Sequence, residues 1–321
     1  MRLRSLGNTG TKVGAIGLGC MGMSGLYQEA SRDDGRCVRL INEALDLGGN
    51  LLDTADLYGA GHNESLLGKA IAGRREEAVV ATKPGIAPDD LCRRASRHDG
   101  SPAHLRDAAE ASLRRLDIDV IDLYYLHRMD PAVPLAETWG AMAELVQRGM
   151  VRWLGLSGAT VVQAREAHAI HPVTAVQSEL SLWARDALDG EPDGMIGWCE
   201  SAGVSFIPSA PLGHGFLTGT LRADQFESGD LRTSDPRFHR AAMEANQRIV
   251  DVIREVADRR SVTPAQVAIA WTLAQGEQVV PIPGTKNSRY LRENLAASEV
   301  QLADEDFTDL RTLPAAVGSR N

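Results

Sequence analysis

Four side chains able to move a proton stand at one kind of place in this 321-residue sequence, the far end of a short apolar run. Asp53 falls near the end of run 50–55, and Tyr58 follows in the next loop. Lys83 closes run 78–83 and His127 closes run 121–127. A tyrosine of pKa about 10 is a poor proton donor at neutral pH. An ammonium beside it stabilises the phenolate and lowers that pKa. A carboxylate paired with the lysine fixes its position, and a histidine can donate a hydrogen bond to a substrate oxygen. Such a set suits protonating or polarising a carbonyl oxygen while another agent attacks the carbon. Each residue alone has a plainer reading: a structural ion pair, an ordinary loop aromatic, a satisfied polar contact. Their joint placement on consecutive run ends carries the functional one.

The elements that would hold these residues follow from the hydrophobic pattern. Eight apolar runs alternate with longer amphipathic stretches: 15–19, 50–55, 78–83, 121–127, 151–157, 175–180, 205–211 and 278–284. Runs such as Ala78-Val79-Val80-Ala81 lack period-two alternation, as expected of parallel strands covered on both faces. Helices are expected over 33–47, 101–116, 135–146, 161–169, 241–260, 264–274 and 287–297. Their signals include Gly48-Gly49 as a stop and Pro102 and Pro264 in first turns. Eight β/α units point to a single (β/α)₈ barrel domain over 1–321, with an open doubly wound sheet as the alternative. Residues 212–277 are too long for one unit, so extra helices and an inserted loop, Arg222–Arg240, are expected before strand eight. Residues 1–13, with Gly7-Asn8-Thr9-Gly10, predict an N-terminal hairpin.

Composition narrows the function. Acidic residues outnumber Lys+Arg by 43 to 34, so the −9 charge repels a phosphate backbone and disfavours nucleic acid as a partner. No apolar stretch reaches the roughly 18 residues of a membrane span. Cys20, Cys37, Cys92 and Cys199 show no metal or redox spacing, and they read as reduced thiols in a cytoplasmic protein. His168 and His171 lack a third ligand and read as a surface pair, so no metal site is expected. Met21, Met23 and Trp183 give the expected mouth an apolar side. Gly17-Leu18-Gly19-Cys20-Met21-Gly22 fits the Rossmann glycine pattern. However, no helix opens at its third glycine, and Asp53 lies too far on to be the ribose-binding acid. It reads instead as a glycine-rich loop that lets a ligand approach closely.

Together these residues resemble the aldo-keto reductase family. The carriers are the segment from Asp53 to Gly68 (DTADLYGAGHNESLLG), then Ala81-Thr82-Lys83, Leu126-His127-Arg128, Gly155-Leu156-Ser157 and Ala175-Val176-Gln177. Pro211-Leu212-Gly213 through Leu217, and Pro283-Gly284-Thr285-Lys286 through Glu293-Asn294, complete them. The resemblance spans nearly the whole chain. It implies a (β/α)₈ barrel that uses NADPH (NADP+) to reduce a small carbonyl substrate. It implies Tyr58 as general acid, Lys83 and Asp53 as its modulators, and His127 as the group orienting the carbonyl. Its implied cofactor residues are Met21, Asp53, Ser157, Gln177, Ser209, Leu212, Gly213, Gly215, Gly284, Thr285, Lys286, Glu293 and Asn294. Ser157 and Gln177 would hold the carboxamide, Leu212–Gly215 the pyrophosphate, and Thr285 and Lys286 the 2′-phosphate. Three positions depart from the pattern. Ser209 stands where many members carry a tyrosine that stacks on the nicotinamide. Gly158 stands where relatives often carry an acidic or amide residue, and His214 where many carry a basic one. Two rival readings on the same scaffold are a cofactor-binding partner protein with residual turnover and a redox-neutral reaction such as epimerisation.

Overall fold

Side chains alternate across a strand, so every second residue of a barrel strand faces inward. In the computed structural model, which describes residues 1–27, 32–86, 98–188, 194–222, 224, 226–227 and 229–319, two apolar clusters follow that alternation. Leu51, Val79, Ala81, Leu123, Tyr125, Ala175, Ile207, Val280 and Ile282 pack together inside the barrel. Their neighbours Leu52, Val80, Tyr124, Leu126, Leu154, Leu156, Val176 and Phe206 join the helices outside. Both sets are buried, which is why the sequence shows continuous apolar runs.

Seven parallel strands form the wall in chain order. They follow a two-stranded antiparallel hairpin of β1 (Leu3–Ser5) and β2 (Lys12–Gly14). They are β3 (Leu18–Gly19), β4 (Leu51–Asp53), β5 (Val79–Thr82), β6 (Ile121–Leu126), β7 (Val151–Ser157), β8 (Val173–Glu179) and β9 (Ser205–Ser209). The expected eighth strand is not regular. Residues 278–284 nonetheless close the barrel, through isolated parallel bridges from Val279 to Phe206 and from Gly284 to Gly19. Prolines explain the difference. Val280 N and Ile282 N donate to Phe206 O (2.9 Å) and Pro208 O (3.1 Å), whereas Pro281 and Pro283 can only accept, from Gly17 N (2.9 Å) and Gly19 N (3.4 Å). Half the ladder toward β3 is therefore missing.

Two glycines of the Rossmann-like motif serve the seams on either side of β3, toward β4 and toward the eighth segment. A Cβ on Gly17 would lie 2.7 Å from Leu51 O, and one on Gly19 would lie 2.8 Å from Ile282 O. Close approach of neighbouring backbones, rather than of a ligand, thus requires Gly17 and Gly19.

Helices surround the wall: α1 (Asp34–Asp46), α2 (His62–Ile71), α3 (Pro102–Leu116), α4 (Leu135–Gln147), α5 (Val161–Ile170), α6 (Gly194–Ala202), α7 (Arg240–Arg260), α8 (Pro264–Leu273), α9 (Ser288–Ala296) and α10 (Asp304–Arg311). Asp33, Ser101, Thr160 and Thr263 cap α1, α3, α5 and α8 by accepting backbone N–H groups, so the sequence marks those starts well. The pattern missed α2, α6 and α10. In α2 the polar residues Asn63 and Glu64 are buried, which inverts the usual amphipathic signal. No side-chain cap opens α2. Helix α6 contains two glycines, and α10 spans only eight residues. The insertion before residue 278 contains α7 and α8, preceded by 3₁₀ turns at 213–218, 231–234 and 236–238.

Cys20, Cys37 and Cys199 are buried and unpaired, while Cys92 lies outside the described residues. Among the described residues, no helix is long and apolar enough to cross a membrane. His168 receives a hydrogen bond from Val173 N at 3.2 Å and meets the Trp198 ring edge-on, so it is tied into the structure rather than left on the surface.

Candidate active site

The inward rows that fill the barrel end in polar residues at the strand C-termini. Continuing 51–53, 81–83, 125–127, 155–157, 175–177 and 207–209 by twos places Asp53, Lys83, His127, Ser157, Gln177 and Ser209 on one rim. This is where barrel active sites form. The structure brings the four proton-handling residues together there.

Lys83 is fully buried and donates to Asp53 Oδ1 (2.6 Å) and to the Thr54 carbonyl (2.7 Å). Gln177 Nε2 donates to the other oxygen of Asp53 (2.7 Å). The Lys83 ammonium lies 5.3 Å from the Tyr58 ring centroid, and Tyr58 meets the His127 ring edge-on at 6.1 Å. Burial opposes the Lys83 charge. Asp53 and Tyr58 more than offset that, and the lysine pKa is raised. Burial also raises the Tyr58 pKa, with Lys83 and Arg128 pulling against it and Asp53 adding to it. The expected lowering of the tyrosine pKa is thus outweighed by desolvation, and the resting phenol keeps its proton. His127 is pushed well below its ordinary value by burial first, then by Lys83 and Arg128. It is a neutral imidazole at neutral pH, and its Nδ1 is buried without a protein partner among the described residues.

A buried polar network holds the Tyr58 loop in place. Thr54 Oγ1 donates to Asn63 Oδ1 (2.6 Å), and Asn63 Nδ2 donates to Cys20 O (2.9 Å) and Ser24 Oγ (2.7 Å). Asn63 N closes the loop onto Tyr58 O at 3.2 Å. Glu64, also buried, accepts from Thr82 Oγ1 (2.6 Å) and Arg115 Nε (2.7 Å). A Cβ on Gly68 would lie 2.4 Å from Leu116 O, so this glycine lets α2 dock on the end of α3. The sequence offered Asn63, Glu64 and Gly68 only as motif members. Their burial explains why the motif holds those types. Met21 packs beside Tyr58, Leu57, Ala55 and Ile86. Met23 is a core residue, and Trp183 stacks on Phe216 at 4.4 Å.

The remaining expected residues fall on β7 to β9, on the loop after β9 and on the segment from Gly284 into α9. Ser157 and Gln177 are Cα partners on β7 and β8, and Glu179 pairs with Ser209 on β9. After β9 the chain runs through left-handed turns at Ala210, Gly213, His214 and Gly215. At Gly213 a Cβ would also meet the Trp183 ring at 2.8 Å. Leu212 and Gly215 flank it. Gly284 is exposed beside Gly19. Thr285 Oγ1 accepts from Asn287 N (3.1 Å), and Asn287 caps α9 by accepting from Arg289 N (2.9 Å). Lys286 Nζ donates to Tyr27 O at 2.9 Å, and burial lowers its pKa. Glu293 accepts from Thr263 Oγ1 (2.8 Å), and Asn294 is buried on the same helix.

The sequence placed Arg128 and Tyr27 only within the segments expected to shape the mouth, 127–131 and 20–27, with no individual contact assigned to either. Arg128 Nη1 donates to the His127 carbonyl (2.7 Å) and to Ser157 Oγ (3.0 Å). The Tyr27 hydroxyl lies 2.5 Å from His214 Nδ1, so residues 26–27 bridge toward the loop after β9.

Comparison with known proteins agrees with this architecture. The sequence model of the Aldo/keto reductase family matches residues 15–314. The chain is 40% identical over 311 residues to the probable aldo-keto reductase 1 of Glycine max, covering 95% of this chain and 86% of the relative. The glycerol dehydrogenase AKR11B4 of Gluconobacter oxydans superposes with a TM-score of 0.86 at 29% identity, covering 97% of this chain and 94% of that one. The thermostable aldo-keto reductase Tm1743, solved with the inhibitor epalrestat, superposes with a TM-score of 0.77 at 32% identity, covering 98% and 100%. With a family match across nearly its whole length and a barrel rim built as described, the chain belongs to the aldo-keto reductase family, oxidoreductases that use nicotinamide cofactors on small carbonyl substrates.

Proposed function

We propose that this protein is an NADPH-dependent carbonyl reductase, acting as one barrel domain, with Tyr58 as the general acid. The observation that carries the reading is the buried Asp53–Lys83 pair set against a Tyr58 phenol that retains its proton.

The rim fits a dinucleotide phosphate. Ser157 and Gln177 offer a hydroxyl and an amide side by side. Residues 212–215 offer backbone and little side chain. Lys286 offers an ammonium beside the N-terminus of α9, a favourable place for an anion. Bound there, NADPH would supply the hydride. Tyr58 delivers its proton to the carbonyl oxygen as negative charge develops on it. Lys83 then stabilises the phenolate left behind, and Asp53 holds Lys83 on that task. His127, neutral and inside the mouth, donates a hydrogen bond that orients the carbonyl. The expected cofactor partners are Met21, Ser157, Gln177, Ser209, Leu212, Gly213, Gly215, Gly284, Thr285, Lys286, Glu293 and Asn294.

The test is cofactor oxidation, followed by absorbance, across a panel of aldehydes and ketones. Wild type should turn over several of them. Tyr58→Phe should lower kcat by about 10²-fold or more, the usual worth of a positioned proton donor, while NADPH binding persists. A full rate in Tyr58→Phe would overturn the mechanism. Tight NADPH binding without turnover of any carbonyl would favour the partner-protein reading.

A further inference from the structure

The guanidinium of Arg128 lies across Gly158 at the rim. A Cβ on Gly158 would sit 3.2 Å from Arg128 Nη1, 3.4 Å from its Cζ and 3.5 Å from its Nε. The guanidinium thus lies in direct contact with the position a Cβ at 158 would take. Gly158 also has φ of +68°, which favours glycine there. Arg128 spends one nitrogen, Nη1, on the His127 carbonyl and Ser157 Oγ, which pins it beside the catalytic histidine. Its Nε and Nη2 make no hydrogen bond or ion pair among the described residues, and the side chain is exposed at the mouth. Among the described residues, the group acting on its charge apart from burial is the Tyr58 hydroxyl, and no described carboxylate does so. A planar cation held by one nitrogen, with two nitrogens unpaired among the described residues and acting on the Tyr58 hydroxyl, is a built receptor for a carboxylate.

We propose that Arg128 determines substrate specificity by binding a carboxylate on the carbonyl substrate, so that this site prefers keto or aldehyde acids to neutral carbonyls. The inference rests on the carbonyl-reductase reading for its reaction, but not for its binding. Gly158 contributes by leaving out any side chain, including one whose carboxylate would neutralise the guanidinium.

The test compares 3- and 4-carboxybenzaldehyde with their methyl esters, which keep the aldehyde and remove the charge. For at least one pair, wild type should show kcat/KM about tenfold or more higher for the acid, the worth of a hydrogen bond to a charged group. Arg128→Met should bring the acid-to-ester ratio to about one, mainly through KM, and Arg128→Lys should restore part of it. Gly158→Asp should also lower the ratio. A second readout is calorimetric binding of benzoate, which Arg128→Met should abolish at retained thermal stability. A wild-type ratio near one for both pairs, or a ratio unmoved by Arg128→Met, would overturn the proposal. Should no aldehyde be reduced, the reductase reading fails, and benzoate binding decides this proposal by itself. Loss of that binding in Arg128→Met sustains it, and equal or absent binding in both proteins overturns it.

Discussion

At the residue scale, this site is organised by which charges are buried with partners. Lys83 is buried with Asp53 and three further acceptor or π contacts, so its charge is held rather than expelled. Asp56, three residues beyond Asp53, lacks such support. Its Oδ1 is buried without a partner among the described residues, and burial, aided by the Glu64 charge, pushes its carboxyl up to about 7. A carboxyl whose folded pKa is raised above its unfolded value gives stability that is full below the unfolded pKa. That stability is lost as pH rises through about 7. Asp56→Asn removes the titration. Its stability relative to wild type should therefore increase by about 1–2 kcal/mol between pH 5 and pH 8, after discount for partial exposure. Urea unfolding at the two pH values measures this, and an unchanged difference would show that Asp56 ionises freely.

At the element scale, loop 20–27 and the loops after β9 and before α9 form one unit. Leu231 N donates to Leu26 O (2.9 Å), Lys286 Nζ donates to Tyr27 O, and the Tyr27 hydroxyl meets His214. Leu26 adopts φ of +69°, an unusual backbone for leucine that these contacts hold in place. Arg232, paired with Asp230 at 2.6 Å, lies 5.0 Å from the Tyr27 ring. Lys286 therefore joins this bridge at the position expected to meet the 2′-phosphate. Lys286→Glu breaks the bridge for both cofactors but repels only the one with the extra phosphate. The KM for NADPH should rise about tenfold or more beyond any rise for NADH. Equal changes for both cofactors would place the 2′-phosphate elsewhere.

At the scale of the whole molecule, the barrel has a working rim and a sealed floor. The hairpin of β1 and β2 covers the end opposite the site. Leu6 and Val13 are fully buried in the barrel's interior cluster. Gly7 N donates to Ser205 Oγ (2.7 Å) and Gly14 N to Asn50 Oδ1 (2.9 Å), both at strand starts. Arg4 donates to Gly276 O (2.8 Å), Leu273 O (3.0 Å) and Val279 O, tying the hairpin to the irregular eighth segment. Leu6→Ala should cost about 2–5 kcal/mol, the range for a large buried aliphatic cut to alanine. Equilibrium unfolding reads that loss, and turnover at low temperature should persist because the cavity opens at the far end.

The sequence by itself determined the order of strands, the hairpin, and the capped helices. Those features depend on local signals: apolar run length, a capping oxygen, a proline in a first turn. It also named Asp53, Tyr58, Lys83 and His127, because each falls beside a strand's C-terminal end and barrel topology leaves one place for such ends to meet. It did not determine α2, whose polar face turns inward to brace Tyr58, since burial of Asn63 and Glu64 depends on partners far away in the chain. Nor did it determine how the barrel closes, because Pro281 and Pro283 interrupt the last strand and only three-dimensional neighbours show that its remaining hydrogen bonds suffice. The direction of the Tyr58 pKa reversed for the same reason. A nearby ammonium is legible from residue types, whereas the desolvation that outweighs it belongs to the folded molecule. Arg128 over Gly158 is the sharpest case: a glycine and an arginine 30 positions apart become one charged surface only when β6 and β7 lie side by side.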